Sequence, residues 1–388
     1  MKIIIAPDSF KGSLSAIEAA NAINRGIKKA FKEAETVLLP VGDGGEGTME
    51  TLVAATGGEI RTVSVTGPLG NQVEAAYGIL GDSETCVIEM ASASGLHLVP
   101  EEKLSPLQAT TYGTGQLIQH ALDDGFTSFI IGLGGSATND GGAGMLQALG
   151  MQLLDGQGNE IGHGGGELNK IKRIDLHSFD KRIKDSKFII ASDVQNPLIG
   201  LDGASHVFGP QKGATAADVE LLDSNLTNWA DEIEQATGIK LHDQPGAGAA
   251  GGIGGAFQAF FPVEAKRGID VVLDYIKLDE ELTNADLVIT GEGRVDSQTV
   301  FGKTPMGVAQ AAKNRNVPTI LMTGSVGKGI EVLYDFGVVS VNSIINNPMS
   351  LKEAMEHAEE LLESSAEQVV RSYFYQSVKE KGGHLLEN

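Results

Sequence analysis

The chain has 388 residues, with 51 acidic against 29 basic side chains and a formal net charge of −22. That length exceeds what one core comfortably fills, so two domains are expected, and a surface this acidic would repel a phosphate backbone, which argues against nucleic-acid binding. A single cysteine, Cys86, excludes an intrachain disulfide, and no run approaches the roughly eighteen apolar residues of a membrane-spanning helix.

In chain order, Lys2 to Ala6 is a short apolar run closed by Pro7-Asp8, the pattern of a buried strand feeding a loop. It is too short for a signal peptide, so the chain is expected to be cytoplasmic. Ser15 with Glu18 forms a capping box for a helix in which Ala16, Ala20, Ile23, Ile27, Ala30 and Phe31 keep helical spacing. Thr36 to Val41 reads as a second strand, which opens a parallel sheet. Glu59 to Val65, Gln72 to Leu80 and Thr85 to Met90 follow, separated only by turns, and predict an antiparallel meander. Thr127 to Ile131 and Lys187 to Ser192 are further apolar strands, and Val219 to Ile233 is a helix. Gly246 to Ala256 is glycine- and alanine-rich, but aliphatic residues at its edges predict an ordered, close-packed segment. Strands at Ala285 to Thr290, Pro318 to Thr323 and Val338 to Ile344 alternate with a helix opening at Thr304-Pro305 and an amphipathic helix from Leu351 to Val369.

This order gives an α/β fold: a Rossmann-like parallel-sheet domain built from both chain ends, residues 1–60 and 286–388, with a mixed α/β domain, residues 61–285, inserted. The 51 glycines are about twice the ordinary ~7 per cent share, and without a three-residue period they belong to loops.

Four glycine-bearing segments carry charge: Pro7 to Ser13, Gly42 to Thr48, Gly132 to Gly142 and Gly291 to Asp296. Read as tight turns after strands, they form a cradle for a phosphate-bearing nucleotide, because glycine lets backbone amides approach an anion. Lys11, Lys212, Arg294 and Lys303 are basic residues in or beside such turns; each is either an anion ligand or an ordinary solvated side chain. Lys303 lies in Ser297 to Thr304, which ends like a P-loop but has Ser297 where the first glycine should be. Asp8, Asp43, Asp193, Glu292 and Asp296 stand at or just past strand ends, where a carboxylate holds Mg²⁺, accepts a hydroxyl proton, or merely caps the next turn. Gly132 to Ala137 also satisfies the loose dinucleotide fingerprint, with Asp155 near the distance of its ribose acid, so an NAD-dependent dehydrogenase is an alternative. The polar and glycine residues from Thr138 to Gly142 weigh against the helix it requires. No zinc-like histidine or cysteine spacing occurs, and there is no Gly-x-Ser-x-Gly elbow.

Six ordered segments resemble the bacterial glycerate kinase family, the type found in glycerate and glucarate catabolism. They are Ala6 to Ala16, Pro40 to Thr48, Thr111 to Gly115, Gly134 to Gly142, Ser192 to Leu198 and Thr290 to Asp296. The resemblance implies transfer of the γ-phosphoryl group of ATP to D-glycerate, with the two domains facing each other across a cleft. It favours 2-phosphoglycerate as product, with the 3-phosphate as alternative; apart from the resemblance, a non-catalytic sugar-acid sensor is an alternative of another class. Mg²⁺ and ATP are the expected cofactors, and a monomer or small homo-oligomer the expected assembly. Asp193, Glu292 and Asp296 are the candidate metal ligands, and Asp8 or Asp193, with Lys11 beside the reaction, the candidate catalytic residues. Ser9, Asp43, Gly134, Gly135, Ser136, Asn139, Asp140, Lys212, Arg294 and Lys303 are expected on substrate or phosphate.

Overall fold

The computed structural model describes residues 1–300 and 304–375. Its strands, in chain order, begin with β1 (Lys2–Ile5), β2 (Glu35–Leu38), β3 (Glu59–Thr66), β4 (Gln72–Ile79), β5 (Thr85–Glu89) and β6 (Ser128–Gly132). They continue with β7 (Gln152–Leu154), β8 (Arg173–Asp175), β9 (Lys187–Ala191), β10 (Val263–Lys266), β11 (Leu287–Val295), β12 (Thr319–Val326) and β13 (Val338–Ser343). Packing divides the chain into two units, one of Met1–Gly42 with the chain from Val272 onward, the other Asp43–Val271.

The first unit is an open parallel sheet in the order β13-β12-β11-β1-β2. Ile3, Ile4 and Ile5 are fully buried in β1, as a strand covered on both faces requires. The helix Ala16–Ala30 carries the expected capping box, Ser15 with Glu18, and turns its alanines and Ile23 and Ile27 onto the core. It packs on the helix Ala358–Tyr373, and Arg25 ion-pairs with Glu359 and Glu363 of that helix. Two expectations fail here. The single closing helix is two, Leu351–Glu356 and Ala358–Tyr373, because His357 leaves helical geometry at φ −107°, ψ 16°. The expected turn from Gly291 is strand: β11 runs on to Val295, paired with β12 as far as Val326. At Gly291 a Cβ would overlap the Met322 carbonyl, so the glycine there serves strand packing.

The second unit holds a six-stranded sheet in the order β10-β9-β6-β5-β4-β3. β10, β9, β6 and β5 run parallel, while β5, β4 and β3 form the expected antiparallel meander. β7 and β8 make a separate antiparallel pair. A core including Phe129, Phe188, Phe257 and Trp229 fills this unit. Whereas the sequence places divisions at 60 and 285, packing places them at 42/43 and 271/272. The reason at the first is the helix Thr48–Thr56, whose Met49 and Val53 lie where a Cβ on Gly78 of β4 would sit. At the second, Glu281 pairs with Lys2, and Asp279 with Arg315. No helix among the described residues is long and apolar enough to cross a membrane.

Candidate active site

The first unit gathers Asp8, Ser9, Lys11, Glu292, Arg294 and Asp296 at the C-terminal ends of β1 and β11, where open α/β sheets bind ligands. Parallel pairing aligns Ile5 with Ile289, and beyond it the Asp8 N–H donates to the Gly291 carbonyl at 2.9 Å. Thr290 Oγ1 donates to the Ala6 carbonyl at 2.6 Å, which fixes the two strand ends together. Asp8 Oδ1 accepts from the Ser9 N–H at 2.6 Å. Phe10 is buried and bridges Leu14, so the turn at Lys11 and Gly12 projects and Lys11 is exposed. A Cβ on Gly293 would stand 3.6 Å from the Lys11 backbone nitrogen, which sets that turn against the β11 extension. On the extension, Glu292 Oε1 accepts from Thr299 Oγ1 at 3.3 Å, and the same Oγ1 accepts from the Asp296 N–H at 3.1 Å. Arg294, 71% exposed, reaches Asp296 at 3.4 Å. Lys303 lies outside the described residues.

In the second unit, register aligns the last residues of three parallel strands, Glu89, Gly132 and Ala191, in one row. The turn from Gly42 to Thr48 lies on that row. Gly44, at φ +86°, rests on it so closely that a Cβ would be 2.7 Å from the Ala191 carbonyl oxygen, and a Cβ on Gly132 would be 2.7 Å from the Gly44 carbonyl oxygen. Asp43 is exposed and its Oδ1 accepts from the Gly45 N–H at 2.9 Å. Gly134 follows against Gly45, where a Cβ would be 2.8 Å from Cα, so the two glycine turns are stacked. Asp193 stands two residues beyond Ala191. Partial burial raises its carboxyl above the usual range and the charge of Asp43 adds to this, while Arg267 and the Gly268 N–H pull the other way.

Beyond Gly135 the loop turns inward. Asn139 and Asp140 are fully buried, and Ser136 is 9% exposed. Asp140 accepts from the Thr111 N–H at 2.8 Å, Thr111 Oγ1 at 2.9 Å and the Gly142 N–H at 3.1 Å. Burial pushes this carboxyl up, and those donors oppose the rise. Lys212, on the short turn Pro210–Lys212, is 1% exposed, and its Nζ donates to Ser136 Oγ at 2.8 Å and to the Thr138 carbonyl at 2.6 Å. Burial lowers its ammonium from 10.5 to about 7, against the pull of Asp140. Expected over an anion, this lysine lies under the loop and holds its shape. The Gly246 to Ala256 segment is ordered, as expected, and backs the same loop: the Gly141 N–H donates to the Gly251 carbonyl at 3.0 Å. Trp229 Nε1 donates to the Gly141 carbonyl at 2.9 Å, and a Cβ on Gly141, at φ +60°, would overlap the indole. Gly141 thus serves packing. Asp155 accepts from the Gln157 and Asn159 N–H groups of its own turn, at 2.8 and 2.9 Å.

Sequence reasoning assigned no site role to Glu89, to Trp229 of the Val219 to Ile233 helix, or to Thr111, although Thr111 opens one of the resembling segments. Glu89 was within reach, since it meets the same strand-end criterion as the five acids singled out; its place inside the apolar run Thr85 to Met90 concealed it. Among the described residues, no group of three or more His, Cys, Asp or Glu side chains is arranged around a common point for a metal. The donor chemistry for Mg²⁺ is nevertheless present, since Glu292 and Asp296 carry hard oxygen donors, the Thr299 hydroxyl bonds the Glu292 carboxylate and the Asp296 backbone, and Mg²⁺ commonly takes only one or two carboxylates.

The sequence matches the glycerate kinase family over residues 3–374. It is 54% identical to the glycerate kinase of Bacillus subtilis strain 168, covering 96% of this chain and 97% of that protein. It is 52% identical to the glycerate 2-kinase of Escherichia coli K12, covering 92% and 94% respectively. A crystal structure assigned to glycerate kinase 2 of Salmonella typhimurium LT2 superposes with a TM-score of 0.88 at 48% identity, covering 97% of this chain and 99% of that one.

Proposed function

Because the chain belongs to the glycerate kinase family, we propose that it transfers the γ-phosphoryl group of ATP to D-glycerate in the cytoplasm and releases 2-phosphoglycerate. The observation that carries the proposal is the gathering of exposed cations and carboxylates at the C-terminal ends of parallel strands. Phosphoryl transfer asks the protein mainly for positioning and charge neutralisation. Lys11 and Arg294 supply positive charge to the transferring phosphoryl group or to the carboxylate of glycerate. Glu292 and Asp296 would hold Mg²⁺, which neutralises triphosphate charge when bound. The backbone of Gly134 and Gly135 presents N–H groups to phosphate, and Lys212 keeps that loop in shape from beneath. Asp193 takes the hydroxyl proton: partial burial raises its carboxyl above the usual carboxylate range, which strengthens it as a base. Asp8 is the alternative base: like Asp193, which accepts from the Gly268 N–H, it accepts from a backbone N–H, that of Ser9. The 2-phosphate product draws support from the relative named a glycerate 2-kinase.

The test couples the reaction to enolase with phosphoglycerate mutase absent. Direct formation of phosphoenolpyruvate is expected; product that enolase accepts only after mutase is added would establish the 3-phosphate instead. In the same assay Asp193→Asn should lower kcat by about 10²-fold or more. Near-normal turnover in that variant would remove Asp193 as the base.

A further inference from the structure

Glu89 ends β5 only 8% exposed, and nothing in the phosphoryl-transfer reading uses it. Its Oε1 accepts from the Met49 N–H at 2.8 Å, and the Gly47 N–H donates to the same carboxylate. These donors open the nine-residue helix Thr48–Thr56, whose own N-cap, Gly47 at φ 87°, offers no side chain. A helix N-terminus attracts an anion, and here the anion comes from a strand. Register places the same residue beside Gly132, on which the Gly44 carbonyl rests. One carboxylate therefore ties the turn that carries Asp43 to the strand ends from which the loop at Gly134 departs.

We propose that Glu89 is a positioning residue for substrate binding, its carboxylate clamping the Gly42 to Thr48 turn onto the strand-end row. The proposal rests on the reading of that turn as part of the substrate site. Burial raises the carboxyl from 4.5 to about 7, the N–H groups of Met49 and Gly47 oppose this, and the charges of Glu50 on the helix and Glu46 on the turn add to it. β6 brings the uncharged Gly132 beside Glu89, and the β4 residues paired with β5, Gly78 and Ile79, carry no charge. As the pH falls through about 7 the clamp loses its charge and one of its acceptor oxygens, and the turn loosens.

Two measurements test this. Hydrogen exchange of the backbone at residues 44–49, corrected for intrinsic rates, should lose several-fold protection in the native protein from pH 8 to pH 6. In Glu89→Gln, which keeps one acceptor and no charge, protection should be flat over that range, with the KM for glycerate or ATP raised several-fold and no longer pH-dependent, and kcat changed less. Protection in the native protein that does not vary with pH overturns the clamp, even if the variant fails to fold. Protection that responds while neither KM does would leave the turn clamped but refute its part in substrate binding.

Discussion

The two clusters treat positive charge in opposite ways. In the first unit, Lys11 is exposed on the turn past β1, and Arg294 is 71% exposed on the last paired residues of β11. In the second, Lys212 is 1% exposed and its ammonium is committed to a hydroxyl and a carbonyl of the loop above it. Both kinds of residue read alike in the sequence, as basic side chains beside glycine turns. A charge that must neutralise an incoming phosphate stays in water until the ligand arrives, whereas a buried one must already have partners, since desolvating it alone is costly.

The sharpest way to break this comparison is through Lys212. Its pKa is lower folded than unfolded, so between about 7 and 10.5 the unfolded chain binds more protons and stability rises with pH. The shift corresponds to roughly 5 kcal/mol, accumulated across that window and absent below about 7. Chemical denaturation from pH 7 to pH 10 should show this rise in the native protein and lack it in Lys212→Met. Equal slopes in the two proteins would mean that the ammonium is not buried in solution, and the lysine would return to the pool of phosphate ligands.

Lys11→Ala and Arg294→Ala should behave in the reverse manner. Each removes an exposed cation, so unfolding should change little, while kcat/KM falls by about 10²-fold if the side chain stabilises the transferring group. A large loss of stability with activity per folded molecule intact would erase the contrast with Lys212.

The fold was legible where pattern and burial agree. The apolar run at β1, the Ser15 capping box and the turn-separated meander of β3 to β5 all follow from local rules. Where one residue type serves two purposes, the sequence was silent. Glycine at 291 lets a strand pass close to Met322, and at 141 it makes room for Trp229, yet both read as ligand turns. Only tertiary neighbours separate these uses. The same holds for the site: the acids at strand ends were found by position, but that Asp140 is walled in by Thr111 and its own loop depends on a helix, Tyr112–Asp123, some thirty residues away. Glu89 was lost because a carboxylate inside an apolar run reads as a strand residue that happens to be polar.

Exposure by itself does not make a charge available, and Asp155 gives the smallest and cleanest test of that qualification. It sits past β7, near the spacing at which a dinucleotide fold would place a ribose-binding acid after Gly132 to Ala137. Instead its carboxylate accepts from N–H groups at Gln157 and Asn159, and these bonds hold it below the usual carboxylate range. Both N–H groups bond the same oxygen, Oδ1, which fixes the carboxylate on its own turn. Asp155→Asn should therefore leave the Kd for ATP and the rate of phosphoryl transfer unchanged within error, with at most a slight fall in Tm from the weakened turn. A clear loss of nucleotide affinity would show that a carboxylate engaged with its own backbone can still serve a ligand, as Arg294 must leave Asp296 to meet phosphate.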